Sequence, residues 1–225
     1  MIIGNGLIAN LFKENDRENV LFFASGVSNS LETDKSAFLR EENLIRKTIK
    51  ENPNKIFIYF STCSIYDSSK NGSSYVNHKL KMEQIVEELA NQFLILRVSN
   101  AVGKGGNPNL LMNYLVNAFH QEKEITVHTL ATRNLIDADD VKNITLKFIN
   151  ENSFNKIINV AYLENFSTSE ILEILEKHFN KTAKTSLVKS GQSYLISIPE
   201  AEAYFTENKL TEKKEYLLRI IKRYY

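Results

Sequence analysis

The chain has 225 residues, with 28 Lys and Arg against 27 Asp and Glu and a formal net charge of +1 at pH 7. That length suits one ordinary domain with a real core, and the near-zero balance offers no basic surface for nucleic acid and no field for an anionic membrane. One cysteine, Cys63, excludes an internal disulfide framework, and His78, His120, His128 and His178 do not fall into metal-ligand spacing with it, so no metal is expected and a reducing, cytoplasmic setting fits.

The chain starts MIIGNGLIANLF. It has no basic leader, its glycines break the apolar run a signal peptide needs, and no stretch approaches the ~20 apolar residues of a membrane span. Ile2–Ile3 reads as a strand and Leu7–Asn15 as a helix, with the G-x-G-x-x-A of Gly4, Gly6 and Ala9 between and into them. Gly4 permits a tight turn, Gly6 lets a pyrophosphate approach the backbone, and Ala9 allows close helix packing, which makes Gly4, Asn5, Gly6, Leu7 and Ile8 candidate dinucleotide contacts. Taken alone, the pattern fits an ordinary strand-to-helix turn equally well. The acidic residue that usually follows about 20 positions on is lacking, since that region reads Phe22-Phe23-Ala24-Ser25-Gly26.

Further strands are expected at Val20–Ala24, Lys55–Ser61, Phe93–Val98 and Ile157–Val160. Helices are expected over about Asp34–Glu51, Tyr75–Ala90, Asn109–Gln121, Asp139–Asn150, Ser167–Phe179 and Glu212–Arg223, with Ser167 as a cap. Gly103–Asn109, rich in glycine, reads as a loop. Short β-rich runs alternating with helical periods predict an α/β fold with a mainly parallel sheet.

Tyr75 and Lys79 stand four apart on a predicted helix, so they share a face. An ammonium and a cationic nicotinamide nearby favour the phenolate and bring a tyrosine from its usual value near 10 toward proton transfer at neutrality. Thr62 ends a predicted parallel strand, where α/β proteins bind ligands. A Y-x-x-x-K pair by itself arises by chance in many helices.

These stretches together resemble the extended short-chain dehydrogenase/reductases, in the NAD-dependent epimerase/dehydratase branch that acts on nucleotide sugars. The resemblance rests on the glycine loop, on Ser61-Thr62-Cys63-Ser64-Ile65-Tyr66, and on Tyr75 with Lys79. It extends through Leu96 to Gly103 (similar to "LRxxNVYG"), Thr132 to Val141 (similar to "TRDFIHVDDV") and Ile158-Asn159-Val160-Ala161 (similar to "YNIG"). It implies a Rossmann-like parallel sheet flanked by helices, with a nucleotide-binding core over 1–100 and 137–160 and a smaller substrate lobe over 101–136 and 161–225. It implies NAD or NADP as cofactor, held by the Gly4–Ile8 loop, Ala24, Ser25, Gly26 and Lys79. Thr62, Tyr75 and Lys79 are then the catalytic residues, and Thr62, Cys63, Ser64, Asn100 and Arg133 the substrate contacts. For Arg133, whose planar donors suit phosphate, the plain alternative is a salt bridge to Asp137, Asp139 or Asp140. For Cys63 it is packing. Relatives also imply a homodimer through the Tyr75–Lys79 helix, where Met82, Ile85 and Val86 are either an outer face or core.

Two departures stand out. Val20–Gly26 resembles the family's fourth strand, "VVIHLAA", yet follows the first helix directly, so the second and third strands that cradle adenosine are absent. Tyr75 follows Thr62 after only 13 residues, where relatives carry a longer substrate loop. The Asp-Glu pair that serves 4,6-dehydratases after the Thr is replaced by Cys63 and Ser64, which argues against dehydration. The expected function is therefore NAD(P)-dependent 4-ketoreduction or epimerisation of a nucleotide-linked sugar for surface polysaccharide. The alternative is a non-redox relative that binds a nucleotide sugar or a partner subunit.

Overall fold

The computed structural model describes residues 1–105 and 110–225. Its centre is a five-stranded parallel sheet of β1 (Ile2–Ile3), β2 (Val20–Phe23), β3 (Ile56–Thr62), β4 (Phe93–Val98) and a last strand at Lys156–Val160, in the spatial order just given. Because β2 pairs directly with β1 (Ile2 with Phe22, Ile3 with Phe23), the two-residue β1 forms the sheet edge, and among the described residues no strand pairs on its outer side. Every residue of β3 is buried, as befits a central strand covered on both faces.

Alternation along the strands divides the core between those faces. Leu21, Phe23, Phe57, Tyr59 and Ile95 point to one side, where α2 (Lys35–Glu51) brings Ile45 and Ile49 and α3 (Ser74–Leu89) brings Met82, Ile85 and Val86. Met82, Ile85 and Val86 are thus core rather than an outer face. Phe22, Ile58, Leu94 and Leu96 point to the other side, toward α1 (Leu7–Leu11) and the C-terminal half. Burying these side chains stabilises the fold by about 1.5–3 kcal/mol each before entropy is counted.

The caps follow the sequence. Asp34 accepts from the Ser36 N–H at 2.8 Å at the start of α2, and Ser73 from the Val76 N–H at 3.2 Å at the start of α3. Helix α1 stops at Leu11 and a 3-10 turn takes over at Lys13–Asn15, four residues short of the expected end.

After β4 come β5 (Asn100–Val102), α4 (Leu111–His120), β6 (Ile125–His128), β7 (Thr132–Arg133), β8 (Leu135–Asp137) and α5 (Ala138–Asn150), with Lys156–Val160 as β9. β10 (Phe166–Ser167), α6 (Thr168–Phe179), β11 (Thr185–Val188), α7 (Pro199–Glu207) and α8 (Lys213–Tyr224) complete the chain. The short strands join as three pairs, β5 with β8, β6 with β11 and β7 with β10. Ser167 and Glu170 form a reciprocal capping box on α6. Part of the expected Gly103–Asn109 loop, and Asn109 of the expected α4, lie outside the described residues. Helices α7 and α8 are both tied to the start of α5, where the Asp140 carboxylate accepts from the hydroxyls of Tyr204 on α7 and Tyr216 on α8 at 2.8 Å and from Arg219 on α8 at 2.6 Å. Among the described residues no helix is long and apolar enough to cross a membrane.

Candidate active site

A cleft of about 1080 Å³ opens over the carboxyl ends of β1, β2, β3 and β4, large enough for a ligand of cofactor size. Its floor is the Gly4–Ile8 loop. Gly4 has φ +126°, and a Cβ there would stand 2.4 Å from the Ala24 carbonyl oxygen, so this turn admits glycine alone. At Gly6 a Cβ would meet nothing within 4 Å, which leaves open room over the backbone where phosphates would lie. Ala24, Ser25 and Gly26, in the loop after β2, line the same cleft.

Thr62 ends β3, 7% exposed, and its Oγ1 accepts from the Ser64 N–H at 3.0 Å, which caps the 3-10 turn of Cys63–Tyr66. Tyr75, in the first turn of α3, and Lys79, one turn on, both reach the cleft with Thr62, Cys63 and Ser64. The Tyr75 hydroxyl has no hydrogen-bond partner among the described residues. It is available to a ligand oxygen.

Lys79 is placed quite differently. It is 3% exposed, and its Nζ donates to Glu41 Oε1 at 3.2 Å, to the Tyr59 hydroxyl at 3.0 Å and to the Phe60 carbonyl at 3.3 Å. Glu41 is wholly buried. It also accepts from the Val27 N–H at 2.6 Å and from the Tyr59 hydroxyl at 2.7 Å, and it meets His78 Nε2 at 3.0 Å. Burial pushes the Glu41 carboxyl upward, but Lys79, His78, the Val27 amide and Tyr59 together outweigh it and hold the group well below the usual carboxylate range. Burial, and next the Glu41 charge, push the Tyr59 phenol well above its ordinary value, so it stays a neutral donor. The path between Gly26 and this pair is narrow, since a Cβ on Gly26 would stand 2.7 Å from Lys79 Nζ and 2.8 Å from Glu41 Oε1.

Cys63 is 1% exposed and its Sγ lies 2.9 Å from the Arg97 carbonyl oxygen. Burial pushes its thiol up to about 12, so it is not a thiolate at neutral pH. Asn100 lines the cleft and donates from Nδ2 to the Asn134 carbonyl at 2.8 Å.

Arg133 is the site candidate that the fold keeps apart from the others. It does not line the cleft, and its guanidinium donates to the carbonyls of Thr132 at 2.8 Å and Gln192 at 3.3 Å and stands 3.9 Å from Asp67. Its acidic neighbour is thus Asp67, while Asp137 and Asp140 face Arg219 and Asp139 faces Lys142 and Arg223. His78 and His120 lie outside the cleft lining.

Sequence reasoning passed over Glu41, Tyr59, Arg40, Lys104 and Tyr194. The last three line the cleft, and the Arg40 guanidinium donates to the Ser25 carbonyl at 3.1 Å. Besides the Glu41-paired Lys79, two cations, Arg40 and Lys104, and no carboxylate line the cleft among the described residues, a surface suited to an anionic ligand.

The profile of the NAD dependent epimerase/dehydratase family matches residues 4–161, a span running from the glycine loop through β9. The chain belongs to this family. No curated protein matches the sequence. Among solved structures of the epimerase/dehydratase fold, UDP-glucuronic acid 4-epimerase from Bacillus cereus, in complex with UDP-glucuronic acid and NAD, superposes with a TM-score of 0.69 at 18% identity. It covers 96% of this chain and 79% of its own. dTDP-glucose 4,6-dehydratase from Bacillus anthracis, in complex with NAD, gives 0.68 at 16% identity over 99% and 81%. RMD from Pseudomonas aeruginosa, complexed with NADPH, gives 0.69 at 13% identity over 91% and 80%.

The residues present fit the phosphates and the nicotinamide end of a dinucleotide, through the open backbone at Gly6 and through Tyr75, which lines the same cleft. Nothing lies beyond β1 among the described strands, and Ser28, Asn29, Ser30, Leu31 and Arg40 also line the cleft.

Proposed function

We propose that this chain is an NAD(P)-dependent enzyme that reduces a 4-keto group on, or epimerises, a nucleotide-linked sugar during synthesis of polysaccharide precursors. The observation that carries the reading is the meeting of Thr62 and an unpartnered Tyr75 hydroxyl in one cleft with the glycine loop. A bound nicotinamide would supply or take the hydride at a sugar carbon. Tyr75 gives or takes the proton on the attached oxygen, while Thr62 donates its hydroxyl to that same oxygen and fixes its place. Lys79, one turn along α3 from Tyr75, lines the same cleft.

The sugar side falls to residues from 101–136 and 161–225, with Lys104, Tyr114 and Tyr194 on the walls and Asn100 at their base. Lys104 is the cation best placed for the substrate diphosphate, a role the sequence reading gave to Arg133. Elimination of water is disfavoured, because the described cleft lining has no carboxylate to act as the additional acid and base. Reduction is favoured over epimerisation, since an open adenosine end suits a cofactor that leaves after each turnover.

The deciding experiment is calorimetric titration with NAD⁺, NADH, NADP⁺ and NADPH, each with and without UDP, GDP and dTDP. Micromolar binding of one dinucleotide supports the enzyme. Binding of a nucleoside diphosphate with no dinucleotide overturns it in favour of a non-redox binder, the reading that the bare β1 edge favours.

A further inference from the structure

An ammonium has three protons to donate and no more. All three of those on Lys79 have acceptors inside the protein, namely Glu41 Oε1, the Tyr59 hydroxyl and the Phe60 carbonyl, at 3.0–3.3 Å. Glu41 is itself saturated on both oxygens, by Lys79 and Tyr59 on one and by the Val27 N–H and His78 on the other. Tyr59 closes the triangle, accepting from Lys79 and donating to Glu41. Three separate elements supply it, α2, β3 and α3, so the arrangement is built by the fold and not by a mobile surface chain.

We propose that Glu41 is the counter-ion and positioning residue of Lys79. It holds the ammonium at the base of the cleft with no proton left for a ligand, and it cancels the positive charge that Lys79 would otherwise present to an anion. Tyr75 then works beside a neutral pair rather than beside a free cation. The titratable and charged neighbours of the pair are His78 and Tyr75 on α3, Tyr59 on β3 and, farther along, Glu83 on α3. None of these supplies a second negative partner to the Lys79 ammonium. The proposal rests on the dinucleotide reading above only in the choice of ligand used to probe it.

The test compares the full chain as wild type, Glu41→Gln, Lys79→Met and the double variant, titrated with NADH and NADPH at low salt. Glutamine keeps the shape and an acceptor for Lys79 but removes the charge. The expected result is binding roughly three- to tenfold tighter in Glu41→Gln, as an unmasked cation close to a phosphate-bearing ligand would give. That gain should vanish in the Lys79→Met background. Affinity within about twofold of wild type, or a gain that survives in the double variant, overturns the proposal.

A second measurement needs no ligand. In ¹⁵N-lysine spectra of the wild type, Lys79 should give an ammonium resonance protected from exchange. It should be absent in Lys79→Met and lose its protection in Glu41→Gln, with circular dichroism confirming that both variants are folded. A Lys79 resonance unchanged by Glu41→Gln overturns the proposal. If no dinucleotide binds any of the four proteins, the enzymatic reading falls while the ammonium spectrum still decides the role of Glu41.

Discussion

Arg97 on β4 grips the Glu83 carboxylate of α3, with Nη2 2.6 Å from Oε2 and Nε 3.0 Å from Oε1. Glu83 is 2% exposed and also takes the Ser61 hydroxyl at 2.5 Å, so the strand that ends in Thr62 and the helix that bears Tyr75 are tied together one turn below the site. Removing one partner of a pair this buried leaves a charge without compensation. Arg97→Ala is expected to cost about 3 kcal/mol in urea denaturation. A loss below about 0.5 kcal/mol, the range of an exposed pair, would show that the bridge does not brace the site.

Tyr75→Phe removes a hydroxyl that nothing else in the described protein holds. Turnover on keto-sugars linked to UDP, GDP or dTDP should fall by about 10²–10⁴, the usual contribution of a positioned proton donor. NADH and NADPH affinity should stay within about twofold, because the hydroxyl bears on the reacting oxygen rather than on the phosphates. Equal losses in binding and turnover would point to a different role.

Cys63 is expected to be inert. With its thiol raised to about 12 by burial, alkylation near neutral pH should run about a hundredfold or more slower in the native protein than in urea. Cys63→Ala should keep most of any activity found. Rapid native labelling would mean that the thiol is an exposed nucleophile after all.

The Glu41 carboxylate gives the fold a defined acid response. Its value is depressed in the folded state relative to the unfolded chain. The stability it contributes is therefore fully present above the ordinary glutamate value of about 4.3, and drains away as the pH falls from there toward the lowered folded value. The stability difference between wild type and Glu41→Gln, measured by denaturation from neutrality down to about pH 3, should be constant at first and then shrink below about pH 4.3. A difference that widens on acidification would reverse the sign of the linkage.

The frame was legible in the sequence because each core strand is a short apolar run and each long helix repeats near 3.6, so Val20–Phe23, Phe93–Val98 and Ala138–Asn150 fall within a residue of expectation. Helix α7 escaped because its Pro199-Glu200-Ala201-Glu202-Ala203-Tyr204-Phe205 stretch has too few large apolar residues to show a period, although Pro at its first position is a start signal. The proximity of Thr62, Tyr75 and Lys79 could be read from motif spacing. The partner of Lys79 could not, because Glu41 lies 38 residues earlier on another helix and only strand order brings the two together. Arg133 shows the same limit, since its neighbour Asp67 comes from a turn far upstream.

The position of β1 at the sheet edge explains how this chain tolerates so large an abridgement. In a doubly wound sheet of order 3-2-1-4-5-6, the second and third strands lie outside the first. Cutting them from the sequence removes an outer margin and leaves every ladder between β1 and β9 unbroken. A segment missing relative to that order is thus internal in the sequence but marginal in space, and it leaves β1 as the open edge of the sheet.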